Sequence, residues 1–244
     1  SVLIPNSVTT IGQSAFECCK NLKSISIPSG VTYIGREAFE RCENLSSIEL
    51  PNQLQSLSQN TFWHCKSLES VVIPSTVQTI AAKAFYGCEN LTSVSVPEGV
   101  VSIEESVFED CSKVKEIELP STLISIGENA FNGCESLKTI ALNENNEFFE
   151  VIDGAIYDKD KRLIIAAPGF VSGKFIIPEG TKYINENAFI KCKRLKSIEI
   201  PNSVLSIGED AFSGCESMES IILSQSIKIL SRNIFNDCST LTNV

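Results

Sequence analysis

Phenylalanine recurs at a fixed interval along this chain, at every twenty-third position. Six phenylalanines follow that interval, and three more follow it after one longer gap: Phe16, Phe39, Phe62, Phe85, Phe108 and Phe131, then Phe189, Phe212 and Phe235. The gap between Phe131 and Phe189 exceeds one repeat by an insertion of thirty-five positions. A repeat of this length is typical of solenoids, whose units bury their apolar faces only against neighbouring units.

Two further residue types keep the same register. A cysteine stands three residues after every one of these phenylalanines, at Cys19, Cys42, Cys65, Cys88, Cys111, Cys134, Cys192, Cys215 and Cys238. A proline usually stands twelve residues after the Phe, and eight of the nine prolines occupy that position. Because these columns agree over nine units, we expect every unit to follow the same backbone path.

Each unit contains a short strand that ends at the proline. In residues 22–28, LKSISIP, Ile25 and Ile27 alternate with serines, which predicts a strand with one buried face. Pro28 ends the strand because it has no N–H group to donate to a neighbouring strand. Strands of successive units are therefore expected to stack into a parallel sheet on the concave face of the coil.

The segment around each Phe is predicted to form a helical turn on the convex face. In REAFERC at 36–42, Ala38, Phe39 and Cys42 are spaced so that one face of such a turn packs inward. The sequence thus favours a mixed α and β repeat solenoid, a right-handed coil with 23-residue rungs, a parallel sheet and short helical turns.

The insertion interrupts this coil. Ala155–Tyr157 and Leu163–Ala166 are predicted strands on either side of the polar turn 158–161, which indicates a hairpin-like insertion or an irregular long rung. We expect one continuous solenoid with a first repeat block at 1–142, the insertion at 143–177 and a second block at 178–244. Neither end shows a polar cap, so further protein is expected to flank this piece. The insertion carries five aromatic residues, expected mostly in the core or else exposed as interface anchors: Phe148, Phe149, Tyr157, Phe170 and Phe175.

Composition excludes several classes of partner. Thirty acidic and 20 basic residues give a formal net charge of −10, which argues against nucleic-acid binding and against an electrostatic membrane anchor. The longest apolar run, 163–167, is far shorter than the roughly 20 residues that span a bilayer. Membrane insertion is therefore not expected of this chain.

The cysteine column predicts buried free thiols rather than disulfides or a metal site. One cysteine per unit in one column gives parallel side chains, which suits packing more than bridging. Zinc sites need clustered ligands such as Cys-x-x-Cys, and the sequence contains none. Cys18 lies outside the column and is expected to point away from the core. We expect no metal and no cofactor.

His64 lies between Trp63 and Cys65, which raises the possibility of a catalytic Cys–His pair. Cys65 belongs to the structural column, however, and the position of His64 is Arg41 in the preceding unit. A solvated His64 and no catalytic residue are the prediction. Trp63 and Tyr86 occupy the same column in adjacent units. They either form a small aromatic patch or are scattered surface residues.

The outward positions of the predicted sheet are the candidate binding site. Small hydroxyl side chains dominate them, with glutamates that make the surface acidic: Ser47, Glu49, Ser70, Val72, Ser93, Ser95, Glu116, Glu118, Ser197 and Glu199. An acidic, shallow surface suits a protein partner with a basic patch, or a glycan. Alternatively, the serines only keep the exposed sheet soluble.

The repeat resembles the BspA-like, or treponemal-type, leucine-rich repeats. The resemblance rests on blocks such as IPSGVTYIGREAFERCENLSSIELP at 27–51, and VIDGAIYDKDKRLIIAAP at 151–168 looks like a variant seen in that family. It implies a leucine-rich repeat coil and a non-enzymatic protein-binding module. We expect the chain to be a monomer. It also implies a cell-surface or secreted protein, with adhesion to host or extracellular-matrix proteins as one role. A structural spacer and a glycan-binding accessory domain are the alternatives.

Overall fold

The computed structural model describes residues 2–159, 163–166 and 171–244, which form short β-strands joined by turns. The chain divides into two compact units, Ser1–Asn146 (unit 1) and Glu147–Val244 (unit 2). The predicted three segments within one continuous solenoid remain a prediction.

Unit 1 contains two alternating series of strands. The first series follows the Cys column: β1 (Val2–Leu3), β3 (Ser24–Ser26), β5 (Ser47–Glu49), β7 (Ser70–Val72), β9 (Ser93–Ser95), β11 (Glu116–Leu119) and β13 (Thr139–Leu142). The second series precedes the Phe column: β2 (Thr10–Ile11), β4 (Tyr33–Ile34), β6 (Ser56–Leu57), β8 (Thr79–Ile80), β10 (Ser102–Ile103) and β12 (Ser125–Ile126).

Strands of the same series pair in parallel with an offset of one repeat. Ser24 pairs with Ser47 in the first series, and Ser102 pairs with Ser125 in the second. The hydrogen-bonded orders are β1-β3-β5-β7, β9-β11-β13, β2-β4 and β6-β8-β10-β12. This constant register shows that one repeat makes one turn of the coil, called a rung below.

The phenylalanine column forms the core of unit 1. Its rings stack from rung to rung with centroids 5.3–6.1 Å apart and planes within 3–14° of parallel. The rings from Phe39 to Phe131 are at most 1% exposed. Because each rung places the same side chain above its predecessor, a single repeated residue builds a continuous core that no rung could bury alone.

The predicted helical turns are wrong, because no helix occurs in the described residues. The N–H groups of Phe39 and Arg41 donate to the carbonyls of Thr61 and Trp63 on the next rung. The N–H group of Cys42, in contrast, donates to the Phe39 carbonyl within its own turn. An α-helix needs successive N–H groups to bond four residues back. Sharing these groups with the next rung replaces the helix by stacked turns, so the fold is a β-solenoid rather than an α/β solenoid.

Positive φ angles on either side of the phenylalanine also exclude an α-helix in this segment. Glu37 and Arg41, on either side of Phe39, have φ values of 61° and 56°. The left-handed region costs a non-glycine residue about 1–2 kcal/mol, and two such residues four apart break a helical run. In three rungs a glycine, which adopts a positive φ without this cost, occupies the position of Arg41: Gly87, Gly133 and Gly214.

Unit 2 begins with antiparallel strands and continues with parallel ones. Its strands are β14 (Phe149–Ile152), β15 (Ala155–Asp158), β16 (Leu163–Ala166), β17 (Gly173–Ile176), β18 (Tyr183–Ile184), β19 (Leu195–Glu199), β20 (Ser206–Ile207) and β21 (Ser220–Ile222). β15 and β16 pair antiparallel, which confirms the predicted hairpin. β14 was not predicted and pairs antiparallel with β15. The parallel sheet orders are β16-β18-β20 and β17-β19-β21.

Most of the described aromatic residues of the insertion are buried, and Tyr157 and Phe175 belong to the core of unit 2. Phe149, Tyr157 and Phe175 are 3–4% exposed, as the first interpretation predicted, whereas Phe148 is 41% exposed. Phe175 meets Phe189 edge-on, at 5.4 Å between centroids and 70° between planes. An edge-on ring thus replaces the stacked ring that a regular rung would supply. Phe170 and the Asp160–Lys161 part of the hairpin turn lie outside the described residues.

Candidate binding surface

The outward positions of the first strand series in unit 1 form a surface that we call the Ser/Glu strip. The strip comprises twelve exposed residues of β3, β5, β7, β9, β11 and β13: Ser24, Ser26, Ser47, Glu49, Ser70, Val72, Ser93, Ser95, Glu116, Glu118, Thr139 and Ala141. Strand alternation places them there, because the residues between them, such as Ile25 and Ile48, turn into the core. Eight of the ten predicted site residues belong to this strip.

The strip carries negative charge without a compensating cation. Glu49, Glu116 and Glu118 are its only charged members, and none of its twelve positions is basic. Ser95 Oγ donates to Glu118 Oε2 at 2.7 Å, which orients that carboxylate. Within the described parts of the chain, none of the three carboxylates forms an ion pair. The strip is therefore a shallow acceptor surface whose carboxylates can receive cationic side chains.

A second row of mostly charged residues stands four positions after the phenylalanines, and it contains ion pairs between successive rungs. Lys20 Nζ lies 2.8 Å from Glu43 Oε1 on the next rung, and Lys66 Nζ lies 2.8 Å from Glu89 Oε1. The hydrogen bond from Lys20 lowers the pKa of Glu43. Because Lys20, Glu43, Lys66 and Glu89 pair from rung to rung, this part of the row offers an approaching protein less unpaired charge than the strip does.

The remaining predicted site residues, Ser197 and Glu199, lie in unit 2 and are half-buried. Lys174 Nζ lies 2.6 Å from Glu199 Oε1, so this carboxylate is already neutralised. Strand register places Ile176 and Ile222 on either side of Glu199, and they are 54% and 60% exposed. The same repeat position thus presents a neutral, partly apolar surface in unit 2.

Most thiols of the cysteine column are buried and hydrogen-bonded inside the coil. Seven thiols of the column donate to the Phe carbonyl of the preceding rung at 3.1–3.3 Å, among them Cys65 to Phe39. Burial raises the pKa of Cys42 to about 12 and raises that of Cys65 as well. Cys18 is exposed, as predicted, and Cys19 is exposed too. No group of three metal-ligating side chains occurs among the residues that the structure describes.

Trp63 and Tyr86, in the turns beside the Phe column, form an aromatic cluster. The sequence analysis had left open whether they form a patch or are scattered. Trp63 stacks on Tyr86 with 6.0 Å between centroids and 24° between planes. His64 meets both rings edge-on, at 4.0 and 5.4 Å, and is half-buried rather than solvated. Burial and the charges of Lys66 and Arg41 lower the pKa of His64. The sequence analysis missed Arg41 as a member, although its guanidinium lies 4.8 Å from the Trp63 ring centroid.

The His64 ring occupies space that is available only because residue 87 is a glycine. A Cβ atom on Gly87 would overlap His64 Nδ1, so the side chain of one rung fills the space that the next rung leaves empty. Asp110 has the same relation to Gly133, whose Cβ would overlap Asp110 Oδ1. A histidine or aspartate followed one repeat later by glycine was the sequence signal for this packing.

Comparison with known proteins adds a family and several structures. The model of the BspA type leucine-rich repeat region matches six copies, over residues 1–111, 57–157 and 172–244. A leucine-rich cell surface protein from Faecalibacterium prausnitzii is 31% identical with a TM-score of 0.77, over 97% of this chain and 70% of that one. A leucine-rich repeat protein from Bacteroides ovatus is 26% identical with a TM-score of 0.65, again over 97% and 70%.

The pneumococcal vaccine antigen PcpA is a further similar structure. It is 25% identical with a TM-score of 0.83, and the match covers 94% of this chain but 59% of the antigen. This chain therefore spans little more than half of the antigen's length. No curated protein sequence matches the chain. The described residues include no helix with the length and apolar character needed to cross a bilayer.

Proposed function

Because this chain belongs to the BspA-type leucine-rich repeat family, we propose that it is a non-enzymatic protein-binding module of a cell-surface or secreted protein. The Ser/Glu strip binds a partner that presents lysine or arginine side chains. The Faecalibacterium relative is described as a cell surface protein, and the matched family is a repeat family. These similarities support the location and the absence of catalysis in the proposal.

The observation that carries the proposal is the unpaired charge of the strip. Three exposed carboxylates that form no ion pair with any described residue lie among mostly small side chains, while Lys20–Glu43 and Lys66–Glu89 of the same unit are paired. Such a surface attracts a basic partner from a distance and lets its backbone approach closely. Host or extracellular-matrix proteins with basic patches are the class of ligand that we propose, which makes the module an adhesin acting as a monomer.

The test is solid-phase binding to a panel of matrix proteins, with a variant in which Glu49, Glu116 and Glu118 are changed to Gln. We expect saturable binding that weakens as salt rises, since exposed charges are screened over about 10 Å at 0.1 M ionic strength. The triple variant should bind at least about tenfold more weakly, the effect of roughly 1.4 kcal/mol.

A matched control changes three other exposed glutamates to Gln, at 128, 144 and 219, and leaves the strip intact. Both variants carry the same net charge, so the control separates the position of the charge from its amount. Equal losses in the two variants would exclude a site on the strip. Absence of binding to every matrix protein would favour the spacer role instead.

A further inference from the structure

One rung of unit 2 carries a concentration of basic side chains that the proposed function does not use. Residues 191–196, KCKRLK, include four of the chain's 20 basic residues, and all four are exposed: Lys191, Lys193, Arg194 and Lys196. We call them the basic patch. Short runs rich in lysine and arginine are found in binding sites for polyanions, heparin and nucleic acids among them. We propose that the basic patch binds a sulfated polysaccharide.

The fold presents the basic side chains of this run on one outer surface. Cys192 and Leu195, which lie between the cations, are fully buried in the core. The N–H group of Lys191 donates to the Ser213 carbonyl of the next rung, and that of Lys193 donates to the Lys191 carbonyl, both at 2.7 Å. Because these bonds fix the turn within the stack, little backbone freedom remains to be lost when a ligand binds.

The next rung leaves most of this positive charge uncompensated. Gly214 stands one repeat after Lys191, and Ser217 one repeat after Arg194, so neither cation has a carboxylate at that position. A Cβ atom on Gly214 would lie 3.3 Å from Lys191 Cγ, so the lysine stem occupies the space beside the glycine. Three of the four cations form no ion pair with any described residue: Lys191, Arg194 and Lys196.

Carboxylates at the edge of the basic patch restrict the shape of its ligand. Glu216 Oε1 lies 3.5 Å from Lys193 Nζ, and Glu219 stands one repeat after Lys196. The chain as a whole has a formal net charge of −10. A flat anionic membrane or a stiff nucleic-acid duplex would extend beyond the patch and meet repelling carboxylates. A narrow, flexible polyanion can follow the single basic rung and avoid them.

The residues around the basic patch do not suit single-stranded nucleic acid. Proteins that bind such strands stack the bases on aromatic side chains. Residues 190–197 include no aromatic side chain, and neither do the equivalent residues 213–220 of the next rung. Half-buried serines lie there instead: Ser197, Ser217 and Ser220. Their hydroxyl groups can donate to or accept from the hydroxyl groups of a sugar.

The density of positive charge favours sulfate groups over the carboxylates of an acidic peptide. A peptide carries at most one carboxylate per residue, whereas a heparin-type chain carries several sulfates on each disaccharide. The Arg194 guanidinium can form paired hydrogen bonds with two oxygens of one sulfate, as it does with phosphate. This site is separate from the proposed protein-binding role, because its residues lie in unit 2 and its charge is opposite to that of the Ser/Glu strip.

The experiment titrates the protein with a heparin octasaccharide by isothermal titration calorimetry, at low and at physiological ionic strength. We expect saturable binding that weakens as salt rises, because exposed charges are screened over about 8 Å at physiological ionic strength. The variant with Lys191→Gln, Arg194→Gln and Lys196→Gln should bind at least about tenfold more weakly. All three positions are exposed, so circular dichroism should show the variant folded.

A matched control changes three other exposed cations of unit 2 to Gln, at 182, 228 and 232. Both variants lose the same amount of positive charge, so the comparison isolates its position. The control should keep its heparin affinity within about twofold. Equal losses of affinity in the two variants would overturn the proposal, and so would absence of saturable binding to the octasaccharide.

The nature of the anion is tested with other polyanions. Heparin stripped of its sulfates and hyaluronan keep sugar rings and carboxylates, and we expect neither to bind measurably. Binding of desulfated heparin as tight as that of heparin would contradict the requirement for sulfate. Tighter binding of poly-glutamate, single-stranded DNA or phosphatidylserine vesicles than of heparin would also overturn the proposal, and would assign the basic patch to that class of polyanion.

Discussion

Units 1 and 2 use the same repeat position to present different surfaces. In unit 1 the outward positions of the strands carry three glutamates that form no ion pair with a described residue, among mostly small side chains. In unit 2 the glutamate at the equivalent position, Glu199, is paired with Lys174 and lies between two exposed isoleucines. Their interiors agree, because both units stack Phe on Phe and bury Cys beside it. Inward positions are constrained by packing against two neighbours, whereas outward positions are free to vary, so function can differ between units of one fold.

The largest effect is expected inside this shared core. Phe85 is fully buried between Phe62 and Phe108, with centroids 5.4 and 5.6 Å away, so Phe85→Ala should lower the free energy of unfolding by about 3–5 kcal/mol. Phe235→Ala in unit 2 should cost clearly less, because Phe235 is only half-buried. Urea unfolding followed by circular dichroism measures both. Equal costs would show that ring burial does not set the stability of the column.

The next effect separates the two surfaces. Glu116→Gln with Glu118→Gln should weaken binding of the basic matrix protein by about tenfold, since both carboxylates lie unpaired on the strip. Glu199→Gln should change it by less than about twofold, because Lys174 already neutralises that carboxylate. Surface plasmon resonance at low salt gives both affinities. A larger loss from Glu199→Gln would contradict the distinction drawn between the units.

The smallest effect tests whether the ion pair keeps unit 2 neutral. Lys174→Ala removes the cation beside Glu199, and an exposed pair of this kind contributes only about 0–1 kcal/mol to stability. The melting temperature should therefore change little, while the salt dependence of matrix-protein binding should become steeper as a fourth carboxylate is freed. An unchanged salt dependence would indicate that partner binding is confined to unit 1.

Periodicity predicted much of the fold but could not assign every hydrogen bond. The repeat register indicated parallel pairing, a buried Phe column and the β15–β16 hairpin, and the structure has all three. The helical turn failed because Ala38, Phe39 and Cys42 face inward equally well from a stack of turns. Asp153-Gly154, between two apolar runs, was a turn signal for the unpredicted β14–β15 pair.

The sequence predicted which residues lie on the candidate binding surface but not how their charges are paired. Alternation placed Glu49, Glu116 and Glu118 on the outward face before any coordinates were known. It could not show that Lys174 neutralises Glu199, because the partners lie on neighbouring strands whose register shifts at the start of β17. Nor could it show that Arg41 lies against Trp63, since the two occupy different positions of the repeat.

The sequence by itself determined the repeat length, the inward columns and the acidic outward positions, because each follows from periodicity and residue type. Tertiary structure alone decided three features: stacked turns in place of helix, the pairing of charges from rung to rung, and the packing of Arg41 and Tyr86 against Trp63. These depend on which backbone and side-chain groups the next rung brings within hydrogen-bonding distance. That distance is set by stacking between rungs, and no single repeat contains it.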